Sequence, residues 1–181
     1  MAEEAWAQAS SFAELAEVTI RYLRGELVES PVSIHPVDGA TRTIVDDLIA
    51  LNRAGFLTIG SQAGPSGEGR DDGAYVEGFA PEAVARAIRS GCASDRIGVV
   101  LTAPGAVGGP GGYGASFPFA PGHPSPDWVS GAWGAAVDPR VLAELQGCWY
   151  VVAFDLRGRG DGGDPGLLWR SLRRAVASGG A

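Results

Sequence analysis

Apolar positions along the chain recur at two spacings, and the switches between them mark the elements. Over residues 11–25, Phe12, Leu15, Val18, Tyr22 and Leu23 fall at helical intervals. Ser10 or Ser11 can cap this first helix, Glu14 sits where a capping box places an acid, and Gly25 ends it. Ile44, Val45, Leu48, Ile49 and Leu51 give the buried stripe of a second helix over residues 41–54, with Thr41 as its expected N-cap and Gly55 as its stop. PEAVARAIRSG (81–91), VDPRVLAELQG (137–147) and PGLLWRSLRRAV (165–176) read as three more helices. Runs of period two or of continuous apolar residues predict strands at 56–59, 74–79, 97–103 and 148–156, and a short proline-bounded one at 31–36.

Helices and strands alternate without clean βαβ repeats, and no GxGxxG follows the first strand. The expected fold is therefore α+β, a mixed central sheet flanked by helices. The chain has 181 residues, the size of one domain, so residues 1–181 are read as a single unit. Residues 61–73 read as a loop, and residues 104–127 as a long Gly/Pro-rich loop carrying Tyr113, Phe117, Phe119 and His123. Long loops in compact domains are uncommon and usually functional or disordered.

Composition narrows the chemistry. Fourteen basic residues stand against 21 acidic ones, a net charge of −7, which disfavours duplex nucleic acid and anionic membranes as partners. All the basic residues are Arg. A pyridoxal phosphate enzyme needs a Lys for its Schiff base and a Walker P-loop needs its own Lys, so neither is expected. Two His and two Cys without a CxxC make a metal site unexpected. Cys92 and Cys148 are expected to be reduced, buried small hydrophobes. The acidic start MAEEAWAQ has no apolar leader core, and no apolar run reaches membrane-spanning length, so a cytoplasmic location is expected.

LIALNRAGFLTIGSQ (48–62) closely resembles the LN-x-x-G-[FI]-LT-I-x-SQ signature of the C-terminal regulatory domain of eukaryotic methylenetetrahydrofolate reductase, a domain that binds S-adenosylmethionine (SAM). The likeness continues in order. ELAEVTIRYLRGE (14–26) resembles that family's first helix, AYVEGF (74–79) its AYLEFF strand, PEAVARAI the next helix, and YVVAFD (150–155) with GLLWRSL (166–172) the last strand and helix. Stand-alone bacterial domains carry the same signature. The resemblance implies the fold of that regulatory domain and SAM contacts at Thr41, Thr58 and Ser61, with Gln62 beside them. In the family an acid precedes the helix-starting Thr; here that residue is Ala40, and Asp38 alone stands close enough to replace it. Hydroxyls and a helix N-terminus suit the ribose diol, ammonium and carboxylate of SAM.

Other residues carry two readings. Strand alternation places Tyr75, Glu77 and Phe79 on one face, so Glu77 is expected to point inward as a base and Tyr75 to join the SAM-binding set. His35 and Tyr113 are the other catalytic candidates; His35 reads equally as a packed histidine, Tyr113 as loop. Asn52 and Gly55 are expected to be structural, Asn52 by capping and Gly55 by positive φ, and Trp128, Trp133, Trp149 and Trp169 to line the core or a ligand cavity. Two functions follow. As an enzyme, the domain would use SAM as substrate without pyridoxal phosphate or metal, by methyl transfer or by an intramolecular cyclisation or elimination releasing methylthioadenosine, for example to aminocyclopropane carboxylate. As a binding module it would be a SAM sensor acting on a partner protein or within a homodimer. A third reading keeps the fold and loses the ligand.

Overall fold

The computed structural model describes residues 2–64, 73–104, 133–156, 164 and 166–179. Seven helices and four strands lie among them. In chain order they are α1 (Ala2–Ala7), α2 (Phe12–Leu23), α3 (Gly39–Arg42), α4 (Val45–Arg53), β1 (Leu57–Gln62), β2 (Tyr75–Ala80), α5 (Glu82–Cys92), β3 (Ile97–Thr102), α6 (Pro139–Gln146), β4 (Trp149–Asp155) and α7 (Leu167–Gly179). Of the predicted loop at 104–127, residues 105–127, with Tyr113 and His123, fall outside the described residues.

Local chemistry sets the helix ends. Ser11 caps α2, its hydroxyl accepting from the Glu14 amide at 3.2 Å. The Glu14 carboxylate reaches back to the Ser10 amide and hydroxyl, each at 2.7 Å, and these bonds hold it below the usual carboxylate range. After α4 the chain turns at Gly55, with φ at 86°, and the Phe56 amide bonds back to the Leu51 carbonyl at 3.0 Å. This is the left-handed stop that glycine adopts without a Cβ clash.

The helix expected over 41–54 is two helices. Asp38 caps the first, accepting from the Thr41 amide at 2.7 Å, so Thr41 sits inside α3 and is not the N-cap. The Thr43 hydroxyl bonds to the Ala40 carbonyl at 2.7 Å, competing with the helical ladder, and the chain restarts at Val45. The strand expected at 31–36 is also absent: only an isolated bridge joins Ser30 to Ser33. Pro31 and Pro36 remove two backbone donors, and side chains hold this loop instead. Trp6 Nε1 donates to the Glu29 carbonyl at 3.2 Å and the Tyr22 hydroxyl to the His35 carbonyl at 2.8 Å.

The sheet order is β1-β2-β4-β3, and every neighbouring pair is antiparallel. The expectation of a mixed sheet is therefore corrected. The crossover through α5 does join two strands that run the same way, but it leaves a gap one strand wide, and β4 returns into it. β4, inside the sheet, is apolar on both faces. Val151 and Ala153 face a cluster with Leu51, Ile88, Leu168 and Leu172; Tyr150 and Val152 face another with Leu15, Phe79, Trp133 and Val141. Helices thus cover the sheet on both sides.

Both cysteines are free, Cys92 buried and Cys148 half-buried. Burial pushes the Cys92 thiol up to about 11, with Arg174 pulling the other way; burial and then Glu144 push Cys148 up to about 11. At pH 8 each should carry about a hundredfold less thiolate than in the unfolded chain. Labelling by a disulfide reagent should be correspondingly slower in the native protein than in denaturant, and equal rates would disprove the burial. A folded-state value above the unfolded 9.0 means that this contribution to stability is complete below pH ~9 and is lost as pH rises from ~9 to ~11.

Candidate functional site

A cavity of about 520 Å³ opens at the free edge of β1. That volume lies in the range of small-molecule sites, roughly 300–1,000 Å³. A bulge shapes its floor. Thr58 pairs with Gly78 and Gly60 with Glu77, so Ile59 is the extra residue of the edge strand. Thr58, Ile59, Gly60 and Ser61 all border the cavity.

Thr58 is anchored from below. Buried Asn52 donates through Nδ2 to Thr58 Oγ1 at 2.7 Å and to the Leu48 carbonyl at 2.9 Å, while its Oδ1 accepts from the Thr58 amide at 3.2 Å. Asn52 is thus structural, but its side chain joins α4 to β1 and does not cap a helix. The arrangement makes Thr58 Oγ1 an acceptor and leaves its own proton free to be donated.

The opposite wall comes from α1, α2, the loop before α3 and α3 itself. It carries Trp6, Tyr22, Ser30, Val32, His35, Asp38 and Thr41, with Trp133 closing it. Asp38 accepts from the amide and, at 3.2 Å, from the hydroxyl of Thr41. Ser30 Oγ and Trp133 Nε1 are buried polar atoms without a hydrogen-bond partner among the described residues. Such groups cost about 1–3 kcal/mol each when left unmet.

The structure therefore gathers four of the sequence-predicted residues, His35, Thr41, Thr58 and Ser61, around one cavity. Gln62, Tyr75 and Glu77 are not among its lining residues. Glu77 does point inward, 6% exposed, but its carboxylate accepts from the Tyr150 hydroxyl at 2.5 Å. Its other oxygen lies against Gly60, where a methyl group would overlap it. Burial, then the Glu77 carboxylate, hold the Tyr150 phenol far above its ordinary value. Tyr150 is a hydrogen-bond donor here and cannot serve as a tyrosinate base near neutral pH.

Sequence reasoning missed Trp6, Tyr22 and Ser30. The signal was present in part: AEEAWA is a run of helix formers with one large aromatic. Among the described residues no group of three or more His, Cys, Asp or Glu stands close enough to hold a metal, and no helix is long and apolar enough to cross a membrane.

A profile of the domain-of-unknown-function family DUF6919 matches residues 1–110. The chain belongs to the DUF6919 family. The matched stretch contains every cavity residue named above except Trp133. This DUF6919 member is also similar to methylenetetrahydrofolate reductase 1 of Schizosaccharomyces pombe, 33% identical over 63 residues. The alignment covers 35% of this chain and spans a tenth (10%) of that protein's length.

Proposed function

We propose that the cavity binds S-adenosylmethionine and that the protein uses it as a substrate, without pyridoxal phosphate or metal. One observation carries the reading: Thr41, Thr58 and Ser61, singled out by resemblance to the SAM-binding regulatory domain of methylenetetrahydrofolate reductase, lie around one cavity although they come from α3 and β1. The similarity to the yeast reductase points the same way. The donor set fits the ligand. The hydroxyls of Thr41, Thr58 and Ser61 and the carboxylate of Asp38 can meet a diol, an ammonium and a carboxylate, and the aromatic wall can hold the apolar remainder. Ser30 Oγ and Trp133 Nε1 offer two further polar atoms.

When bound, SAM supplies carbon electrophiles activated by its sulfonium. The protein's task is then to orient the ligand, exclude water and accept one proton. His35 and Asp38, both on the wall, are the groups placed to accept it; Glu77 is engaged by Tyr150. That engagement favours a second reading, a SAM sensor that returns its ligand unchanged to act on a partner or within a homodimer.

Incubation with SAM followed by mass spectrometry separates the two. Methylthioadenosine with an amino-acid product, or S-adenosylhomocysteine with a methylated acceptor, identifies an enzyme; binding with SAM recovered intact identifies a sensor. Calorimetry alongside tests the site itself. Thr58→Ala and Ser61→Ala should each weaken SAM binding by about 1 kcal/mol, roughly fivefold. Unchanged affinity in both would remove the site assignment.

A further inference from the structure

The segment 28–36 supplies the loop side of the cavity wall, through Ser30, Val32, Ser33, His35 and Pro36, and it is held unevenly. The residues that flank it, Leu27 and Val37, are buried in the two apolar clusters. Between them no residue is buried; Val32 rests half-buried against a cluster, and Ile34 stands 75% exposed. The one bridge the segment makes is internal. Ser30 and Ser33 exchange amide-to-carbonyl bonds at 2.8 and 3.1 Å, and Ser33 Oγ accepts from the His35 amide at 3.2 Å and donates to the His35 carbonyl at 3.1 Å. Pro31 and Pro36 fix φ at two further positions. The segment is therefore braced on itself. Among the described residues two hydrogen bonds tie it to the helices, Trp6 Nε1 to the Glu29 carbonyl at 3.2 Å and the Tyr22 hydroxyl to the His35 carbonyl at 2.8 Å. This position also carries a cost, because Ser30 Oγ is buried in it without a partner among the described residues. Movement outward gives that hydroxyl water, which offsets part of the loss of the two tethers.

We infer that residues 28–36 are a strap that swings as one piece between the anchors Leu27 and Val37, latched over the cavity by Tyr22 and Trp6, and that a ligand enters when the latches open. The inference goes beyond the SAM reading, since it sets how the cavity is reached whichever small molecule fills it. Its internal bonds survive the movement; only the two tethers and the contact of Val32 break.

The test without ligand is cleavage of the native full chain by a glutamate-specific protease, with the fragments identified by mass spectrometry. Glu29 lies in the strap, and its carbonyl accepts the Trp6 latch. Tyr22→Phe removes the other latch and keeps the ring. It should speed cleavage after Glu29 about fivefold, the worth of one hydrogen bond, while cleavage after Glu144 in α6 keeps its rate. Trp6→Phe, where it folds, should act in the same way. An unchanged rate at Glu29 in Tyr22→Phe overturns the inference. So does a rate that rises equally at Glu144, because that reports unfolding of the whole domain. Stopped-flow binding of SAM gives the second readout. Loss of the Tyr22 latch should quicken association and dissociation alike, because both pass through the open strap. Faster dissociation with unchanged association makes the Tyr22 hydroxyl a ligand contact and overturns the gate. If SAM does not bind, the SAM reading fails, and the protease rates still decide the strap.

Discussion

Asn52→Ala is expected to destabilise the protein by about 3 kcal/mol and, on the proposed function, to weaken SAM binding as well. Asn52 is 1% exposed and its side chain bonds both the amide nitrogen and the hydroxyl of Thr58. Removing it strands a buried N–H and a buried hydroxyl, each at about 1–3 kcal/mol, and opens a small void. In a chain of this length, ~3 kcal/mol corresponds to a fall in Tm of roughly 6–12 °C. Urea titration and a thermal melt measure the loss. The effect on the site is separable, because Thr58 then has no partner holding its hydroxyl toward the cavity. At a temperature where the variant is fully folded, its SAM affinity should fall at least as far as that of Thr58→Ala. A loss of stability below ~1 kcal/mol would mean that water replaces Asn52 and that β1 is held by its pairing with β2 alone.

Gly78→Ala is expected to cost about 3 kcal/mol as well, through space and not through conformational freedom. Gly78 pairs with Thr58 beside the bulge. A methyl there would overlap the Leu57 carbonyl oxygen and stand 3.0 Å from the Phe56 ring. The first obstacle is backbone, so it cannot swing aside, and β1 must move off β2. Since β1 floors the cavity, amide exchange should quicken along Leu57–Gln62 as stability falls. Gly39→Ala is the control. Nothing lies within 4 Å of a methyl at that position in α3, so the change should be neutral or mildly stabilising, by up to ~1 kcal/mol. Comparable losses in both variants would show that the crowding at Gly78 does not govern stability.

Much of the cavity was legible because its residues sit in a contiguous motif. Thr58 and Ser61 are three residues apart in one strand, and the signature around them places both. Asp38 was within reach of the same reasoning, as the acid closest to Ala40, and the structure sets its carboxylate on Thr41. The aromatic wall was not legible in this way. Trp6 and Trp133 are 127 positions apart in the chain, and no local rule brings them to ring contact. Glu77 shows the limit from the other side. Alternation placed it inward, and it is inward, but which partner it meets there depends on β4 lying next to β2, and so on Tyr150.

The sequence by itself determined the elements whose causes are local. Caps, glycine stops and apolar periodicity fix α2, α4, α5, α6, α7 and the four strands to within a few residues, because each depends on neighbours a turn or a pleat away. Where local rules compete, as at Thr43 between the ladder and its own hydroxyl, or at the prolines of 31–36, periodicity misjudged the outcome. Only the tertiary structure decided the strand order, the antiparallel pairing that β4 imposes, and the cavity between the β1 edge and the aromatic wall. These depend on which surfaces meet across long stretches of chain. That is settled by burying both faces of the sheet at once, a condition on the whole molecule that no single segment contains.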